Sequence, residues 1–367
     1  MEKFRRAFGK LRDPRAANAQ HELLEILFIA LAAMLCGAQS ASDMELFGRS
    51  KEGFLGQFLR LEHGIPSHDT FSRVFRLLNP AAFECHFRRF VAAFAKANRR
   101  SLTGVVAVDG KAMRRAYERG GSATPIQMVN VFAAEARMAL ATRRAPGRNE
   151  ALGAVEVLDL LCLEGCIVTA DALHCNRAFA AKVLEHEADY VLALKQNQGK
   201  LFDLVASRFT RQGPRRSAEQ LQPATHDRRE QRRATVIRDS SLALSQNFPG
   251  IVALGRITSR RRQLGGRAEP VAVRYFLLSK YLTPRQLLLT VRSHWSIENQ
   301  LHWILDVNFD EDGCRARKDN APENLAILLR LAVNIVRSST NPVSMRQKIK
   351  RAAWDDSYLL ELLAQKP

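Results

Sequence analysis

Two short apolar runs, Val105-Val106-Ala107-Val108 and Ile167-Val168-Thr169-Ala170, each stop at an aspartate, Asp109 and Asp171. Around them the hydrophobic period switches repeatedly. Met128–Ala134 and Met138–Thr142 read as two more strands with a turn between them. Asn149–Leu161 carries helical spacing, Asn176–His186 does so again, and Tyr190–Leu194 returns to a strand. Three strands followed by helix, strand, helix, strand bury their apolar faces together only as a mixed sheet covered by helices. The stretch is therefore predicted to be α/β. Strand ends in such sheets present side chains to ligands from a rigid backbone.

The residues before this stretch, 1–104, are predicted to form a separate helical domain. Leu23–Cys36 reads as a helix ended by Gly37, with short helices at Met44–Phe47 and Phe54–Arg60. Ser67 is a suitable N-cap for a helix whose Phe71, Val74, Phe75 and Leu78 share one face. After Asn79-Pro80, a second amphipathic helix carries Phe83, Phe87, Phe90, Val91 and Phe94. A Gly64-Ile65-Pro66 turn before a short helix is compatible with a helix-turn-helix, which would turn Arg73 and Arg76 towards a phosphate backbone. A solvated bundle surface gives the same pattern.

Charge divides the chain further. Of 367 residues, 46% are hydrophobic and 25% charged, an ordinary globular balance, yet the net charge is +19. Residues 199–285 hold 18 basic and 6 acidic groups, whereas 105–198 hold 11 of each. A basic surface of this kind calls for a polyanionic partner, most often nucleic acid. The block also contains β-like runs at Ala234–Ile237, Ile251–Thr258 and Val271–Leu278. It is predicted to be a β-rich insertion whose Arg228, Arg229, Arg232, Arg233, Arg256, Arg260, Arg261 and Arg262 track phosphates. The longest apolar run, Ile26–Ala38, has 13 residues, short of the ~20 that span a bilayer. No membrane partner is expected, and a cytoplasmic location is the default. Six cysteines without a C-x-x-C pair form neither a disulfide framework nor a zinc ribbon.

If the strands ending at Asp109 and Asp171 are neighbours, their carboxylates converge, and a hard divalent cation, Mg²⁺ or Mn²⁺, would relieve the repulsion. A strand-end aspartate is also a common turn or cap residue. A third acidic position lies in Arg292-Ser-His294-Trp295-Ser-Ile-Glu298-Asn299-Gln-Leu-His302-Trp303. Read as one helix from Pro284 to Leu305, this places His294, Glu298 and His302 along one stripe. Glu298 sits beside Leu301 and Leu305, where a carboxylate needs a metal or a hydrogen-bond network. A structural pairing with Arg292 or His302 is the alternative. The H-E-x-x-H spacing of zincins is absent.

These segments carry a resemblance. Asp13-Pro14-Arg15 with His21, Gly64-Ile-Pro-Ser67-His68-Asp69-Thr70-Phe71, Val108-Asp109-Gly110-Lys111 and Val168-Thr-Ala-Asp171-Ala172-Leu-His174-Cys-Asn176 are similar to family motifs. So are Ala188-Asp189-Tyr190 through Lys195-Gln-Asn197, His294-Trp295-x-Ile-Glu298-Asn299-x-Leu-His302-Trp303-x-Leu-Asp306, and Lys348 through Trp354-Asp355. From about residue 11 to 363 the chain resembles an insertion-sequence transposase of the DDE, RNase H-like superfamily, in the branch of the H-repeat-associated proteins. The Tyr-Arg-Glu-Lys signature of better-known cousins is absent: His294 stands four before Glu298 and Leu305 seven after it.

The resemblance implies an RNase H-like catalytic domain over 105–367, with Asp109, Asp171 and Glu298 as catalytic acids holding two Mg²⁺ or Mn²⁺ ions. It implies a DNA-end-binding domain over 1–104 and the basic insertion at about 199–285. Asn299, His302 and Trp295 would support Glu298, and Lys111 and Lys195 would clamp phosphate. The activity implied is strand cleavage at element ends and strand transfer into target DNA, by a homodimer on double-stranded terminal repeats. A stand-alone metal-dependent nuclease and a catalytically inactive, domesticated DNA-binding protein are the rival expectations.

Overall fold

A computed structural model describes residues 2–98, 100–117, 124–211, 217–221, 228–263 and 269–364. The N-terminal block is helical: α1 (Glu2–Phe8), α2 (Leu23–Leu35), α3 (Ala41–Ser50), α4 (Glu52–Leu55), α5 (His68–Leu77) and α6 (Pro80–Ala97). Caps fix their starts. Ser67 Oγ accepts from Thr70 N, and Asn79 Oδ1 accepts from Ala82 N with Pro80 in the first turn. Gly37 leaves α2 with φ +95, a backbone conformation that suits glycine.

The sheet follows: β1 (Val105–Tyr117), β2 (Pro125–Ala133), β3 (Met138–Arg144), α7 (Glu150–Leu158), β4 (Ile167–Ala170), α8 (Arg177–Glu185) and β5 (Asp189–Leu194). The basic block supplies α9 (Gly199–Arg211), β6 (Ser217–Leu221), β7 (Arg228–Arg238), α10 (Ser241–Ser245), β8 (Ala253–Gln263) and β9 (Ala272–Leu278). The chain closes with α11 (Pro284–His294), a π turn at Glu298–His302, α12 (Trp303–Phe309), α13 (Ala321–Ser338), α14 (Met345–Trp354) and α15 (Asp356–Ala364). Among the described residues, the strands make one mixed sheet in the order β3-β2-β1-β4-β5-β9-β8-β7-β6. β1, β4 and β5 run parallel, and the remaining neighbours pair antiparallel.

The α/β reading therefore stands, and the basic strands do lie in sequence between β5 and α11. They extend the same sheet through the β5–β9 pairing. The β-rich insertion also carries a helix, α9, that the β-like runs did not announce. Its buried Leu201, Val205 and Phe209 recur every four residues, the spacing of a helix face.

α13 ties the halves together. Its residues from Ala326 to Val336 are all buried, and it packs on α2, α5 and α6 as well as on β3. One continuous apolar cluster runs from Phe4 through the sheet to Leu363. An isolated 1–104 fragment would expose the faces that α13 covers. No helix among the described residues is long and apolar enough to cross a membrane.

Candidate active site and nucleic-acid interface

Sheet register brings the two aspartates together. β1 and β4 pair in parallel up to Val108 opposite Ala170. The next residue on each strand is Asp109 and Asp171, at the same level of strands about 4.8 Å apart. β4 ends there, whereas β1 continues beside β2 with Asp109 opposite Asn130. The expectation that β1 stops at Asp109 is thus corrected: it is the neighbouring strand that stops, which opens the space beside Asp109. Asp171 starts a tight turn in which its Oδ1 accepts from Leu173 N at 2.8 Å. The loop after β5 is pinned to that turn, Asn197 Nδ2 donating to Ala172 O and Gln198 Nε2 to Cys175 O.

Glu298 reaches the same cavity from the π turn. α11 breaks at Trp295, and the wider turn then shifts the phase of everything after it. The predicted continuous helix with one His294–Glu298–His302 stripe is therefore replaced by three separate placements. His294 Nδ1 lies 3.1 Å from Thr169 Oγ1 on β4. His302 Nε2 lies 3.3 Å from Asn130 Nδ2, and accepting there leaves the ring proton on Nδ1, 3.7 Å from Asp109 Oδ2. Glu298 faces the cavity that Asp109, Asp171, Lys195, Arg274 and Trp295 also line. Among the described residues neither Arg292 nor His302 pairs with it.

The electrostatics are those of uncompensated acids. Burial, then the charges of Asp171 and Glu298, push the Asp109 carboxyl up to about 7. Burial pulls the imidazoles the other way, His294 down to about 4 and His302 down to about 3. Both rings are neutral polar walls near pH 7.

Several predicted supporting residues sit elsewhere. Lys111, expected to clamp phosphate, is buried at 7% exposure against Asp306 Oδ1 at 2.6 Å, Asp312 Oδ1 at 3.2 Å and Glu311 Oε2 at 3.4 Å. Its charge is already balanced within the fold. Asn299 is exposed and donates from the π turn back to Trp295 O at the break, so it does not orient Glu298. His302 flanks Asp109 instead of Glu298. Trp295 lines the cavity, with the Arg274 guanidinium 5.3 Å over its ring. Lys195 is exposed at the cavity with no partner among the described residues.

On the basic strands, Glu230 decides which arginines remain available. It pairs with Arg232 and with Arg261, at 3.1 and 3.2 Å. Arg260 and Arg262 alternate with Arg261 onto the other face of β8, and both are exposed without a carboxylate partner among the described residues. Arg256 lies on that face too, its guanidinium 5.1 Å from the Phe209 ring. Arg233 on β7 is exposed, and the side chains of Arg228 and Arg229 lie outside the described residues. On α5, Arg73 is exposed, whereas Arg76 is held by Asp319 at 2.7 Å, which removes it from the expected phosphate-facing pair. Sequence reading missed Arg274 in the cavity wall, and it missed Glu150 and His174, each of which brings a ligand atom within 4.8 Å of Asp109. Arg274 belongs to the basic block, but only the β5–β9 pairing carries it to the aspartates.

The family profile described as Transposase DDE domain matches residues 100–335, and one described as DDE_Tnp_1-associated matches residues 5–91. Protein YbfL of Escherichia coli K12 is 30% identical over 359 residues, covering 95% of this chain and 94% of that protein. The "H repeat-associated putative transposase YhhI" of the same strain is 30% identical over 357 residues, covering 95% and 93%. A protein encoded in the dhlA 3′ region of Xanthobacter autotrophicus is 38% identical over 268 residues, covering 71% and 90%. Among solved structures, a piggyBac transposase synaptic complex with hairpin DNA has a TM-score of 0.44 and 13% identity, covering 98% of this chain and 77% of that one.

Proposed function

Because the chain belongs to the transposase DDE domain family, we propose that it cuts DNA strands at the ends of its own mobile element and joins them to target DNA. The observation that carries this reading is the single cavity lined by Asp109, Asp171 and Glu298 with Lys195 beside them. The other acids near Glu298 support the assignment by their partners. Asp306 and Asp312 face Lys111, and Glu311 is held by Arg330 and Lys111.

The three carboxylates fit a pair of hard divalent cations, Mg²⁺ or Mn²⁺. They are oxygen donors that form no ion pair with a lysine or arginine among the described residues, and Asp109 resists ionisation in their company. The chemistry such ions supply when bound is activation of a water or a DNA 3′-hydroxyl and stabilisation of the leaving 3′-oxygen at phosphorus. Lys195 would hold a phosphate oxygen at the mouth. His302 stays neutral with its Nδ1 edge 3.7 Å from Asp109 Oδ2, a polar wall beside that carboxylate. β1–β5 would form the RNase H-like core, the basic strands the duplex track, and the N-terminal helices the element-end contact. Two copies would pair the two ends.

The test is a duplex carrying the inverted repeats that flank the coding region, incubated with the full chain, Mg²⁺ and a supercoiled target. Cleavage at the repeat boundary followed by joining is expected. Cleavage without joining would replace the proposal by a nuclease, and binding without cleavage by a non-catalytic DNA-binding protein.

The basic strands yield a separate expectation. Each phosphate contact adds about 0.9 to the slope of log K against log salt. Arg260→Gln with Arg262→Gln should lower that slope by about 1.8 on any duplex sequence. Arg261→Gln, whose charge Glu230 already meets, should change it by much less. Equal slopes for the double variant and the unsubstituted protein would return these arginines to a solvated edge.

A further inference from the structure

We propose that the cation site reaches beyond the three acids, and that Asp109, Glu150 and His174 together hold a divalent transition-metal ion such as Mn²⁺. This rests on Asp109 as a metal ligand and is independent of Asp171 and Glu298. One ligand atom from each of Asp109, Glu150 and His174 lies within 4.8 Å of the others. They come from three elements: mid-β1, the first turn of α7, and the turn that Asp171 begins. The positions are built. Asn149 caps α7, and the next residue, Glu150, turns back over β1. Its carboxylate fills the place a Cβ at residue 110 would take. Only glycine after Asp109 leaves that room.

His174 is the observation that points to a ligand. Its side chain has 0% exposure, and neither ring nitrogen has a hydrogen-bond partner. Nε2 comes within 3.1 Å of Glu150 Oε1 without the alignment of a hydrogen bond. The Phe179 ring lies along the imidazole at 5.9 Å and fixes its plane. A fully buried ring whose Nδ1 has no hydrogen-bond partner and whose Nε2 meets only a poorly aligned carboxylate is costly as it stands, whereas a cation between the carboxylates and the ring would satisfy it. Two oxygens and one nitrogen form a softer set than the all-oxygen surroundings that Mg²⁺ prefers. An ordinary ion pair between His174 and Glu150 is the competing account.

The experiment measures Mn²⁺ binding to the full chain without DNA, by the paramagnetic resonance of free Mn²⁺ and by spin-echo modulation of the bound ion. Imidazole nitrogen should appear in the modulation, and an equal concentration of Mg²⁺ should not displace the ion. Glu150→Gln should weaken binding by at least about tenfold. Gly110→Ala should do likewise by driving the carboxylate away. His174→Gln should lose the nitrogen signal, while His302→Gln and Asp171→Asn keep it. Nitrogen modulation surviving in folded His174→Gln overturns the proposal. So does Mn²⁺ affinity unchanged in both Glu150→Gln and Gly110→Ala, which decide the matter if His174→Gln fails to fold in a chelator-treated melt. Because the readout involves no DNA, a loss of the transposase reading in cleavage assays leaves this result standing, and the reverse holds too.

Discussion

Glu298→Gln should abolish metal-dependent strand cleavage while leaving DNA binding near that of the unsubstituted chain. The substitution keeps the shape of an exposed side chain that has no partner among the described residues, so the fold should not notice it. What it removes is a charge that divalent ions require. Stabilisation of charge at phosphorus by bound metal is worth several kcal/mol, and losing it should slow cleavage on the order of a thousandfold. Asp171→Asn and Asp109→Asn should behave alike. Asp306→Asn should retain substantial cleavage once folded, because Asp306 serves Lys111.

The pH dependence has a definite sign. The Asp109 carboxyl is raised from an ordinary 3.8 to about 7, so a proton competes with metal for the site in neutral and acid solution. The stability this group contributes to the metal-free protein is present at low pH and is lost as pH rises through about 7. Added cation should therefore raise the melting temperature more at pH 8 than at pH 6, and cleavage should fall as pH drops below about 7. Robust cleavage by Glu298→Gln beside an inert but folded Asp306→Asn would sink the assignment.

Much of this site was legible because strand and acid are adjacent in sequence. An apolar run ending in aspartate announces a strand and a candidate ligand together, and parallel register sets the two aspartates side by side. Three features were not legible, each for a tertiary reason. Gly110-Lys111 looks like an exposed turn, yet β1 continues through it and buries Lys111 among acids from beyond residue 305. The π turn has no local signature in Glu298–His302. Its spacing suits an α-helix, and the phase shift becomes evident only where His294 and His302 meet different strands. Glu150 reads as an acid placed to suit the start of α7, and nothing near it in sequence shows that the helix start lies over Asp109. The available arginines were obscured similarly. Composition marks the block as basic, but only cross-strand pairing shows Glu230 opposite Arg261.

Arg330→Met should destabilise the chain by about 3–5 kcal/mol, the scale for removing one partner of a buried ion pair. Arg330 and Glu311 both have 0% exposed side chains and pair through the guanidinium fork. Arg330 Nε also donates to Asn130 Oδ1 at 2.9 Å, which in turn accepts from Thr142 Oγ1 at 3.0 Å. The network locks α13 to the central strands directly behind the site, where Asn130 holds the His302 ring that faces Asp109. Lys111, Arg330 and Arg114 together balance Asp306, Glu311 and Asp312. Taking Arg330 away leaves a fully buried carboxylate whose remaining cation among the described residues is Lys111 at 3.4 Å. The double variant Arg330→Met with Glu311→Leu removes both charges and should recover a large part of the loss, since apolar replacement of a buried pair is often neutral. Urea unfolding of the three proteins separates the cases. A single-variant loss below about 1 kcal/mol, the scale of an exposed pair, would show that the network is reached by solvent and does not anchor the site.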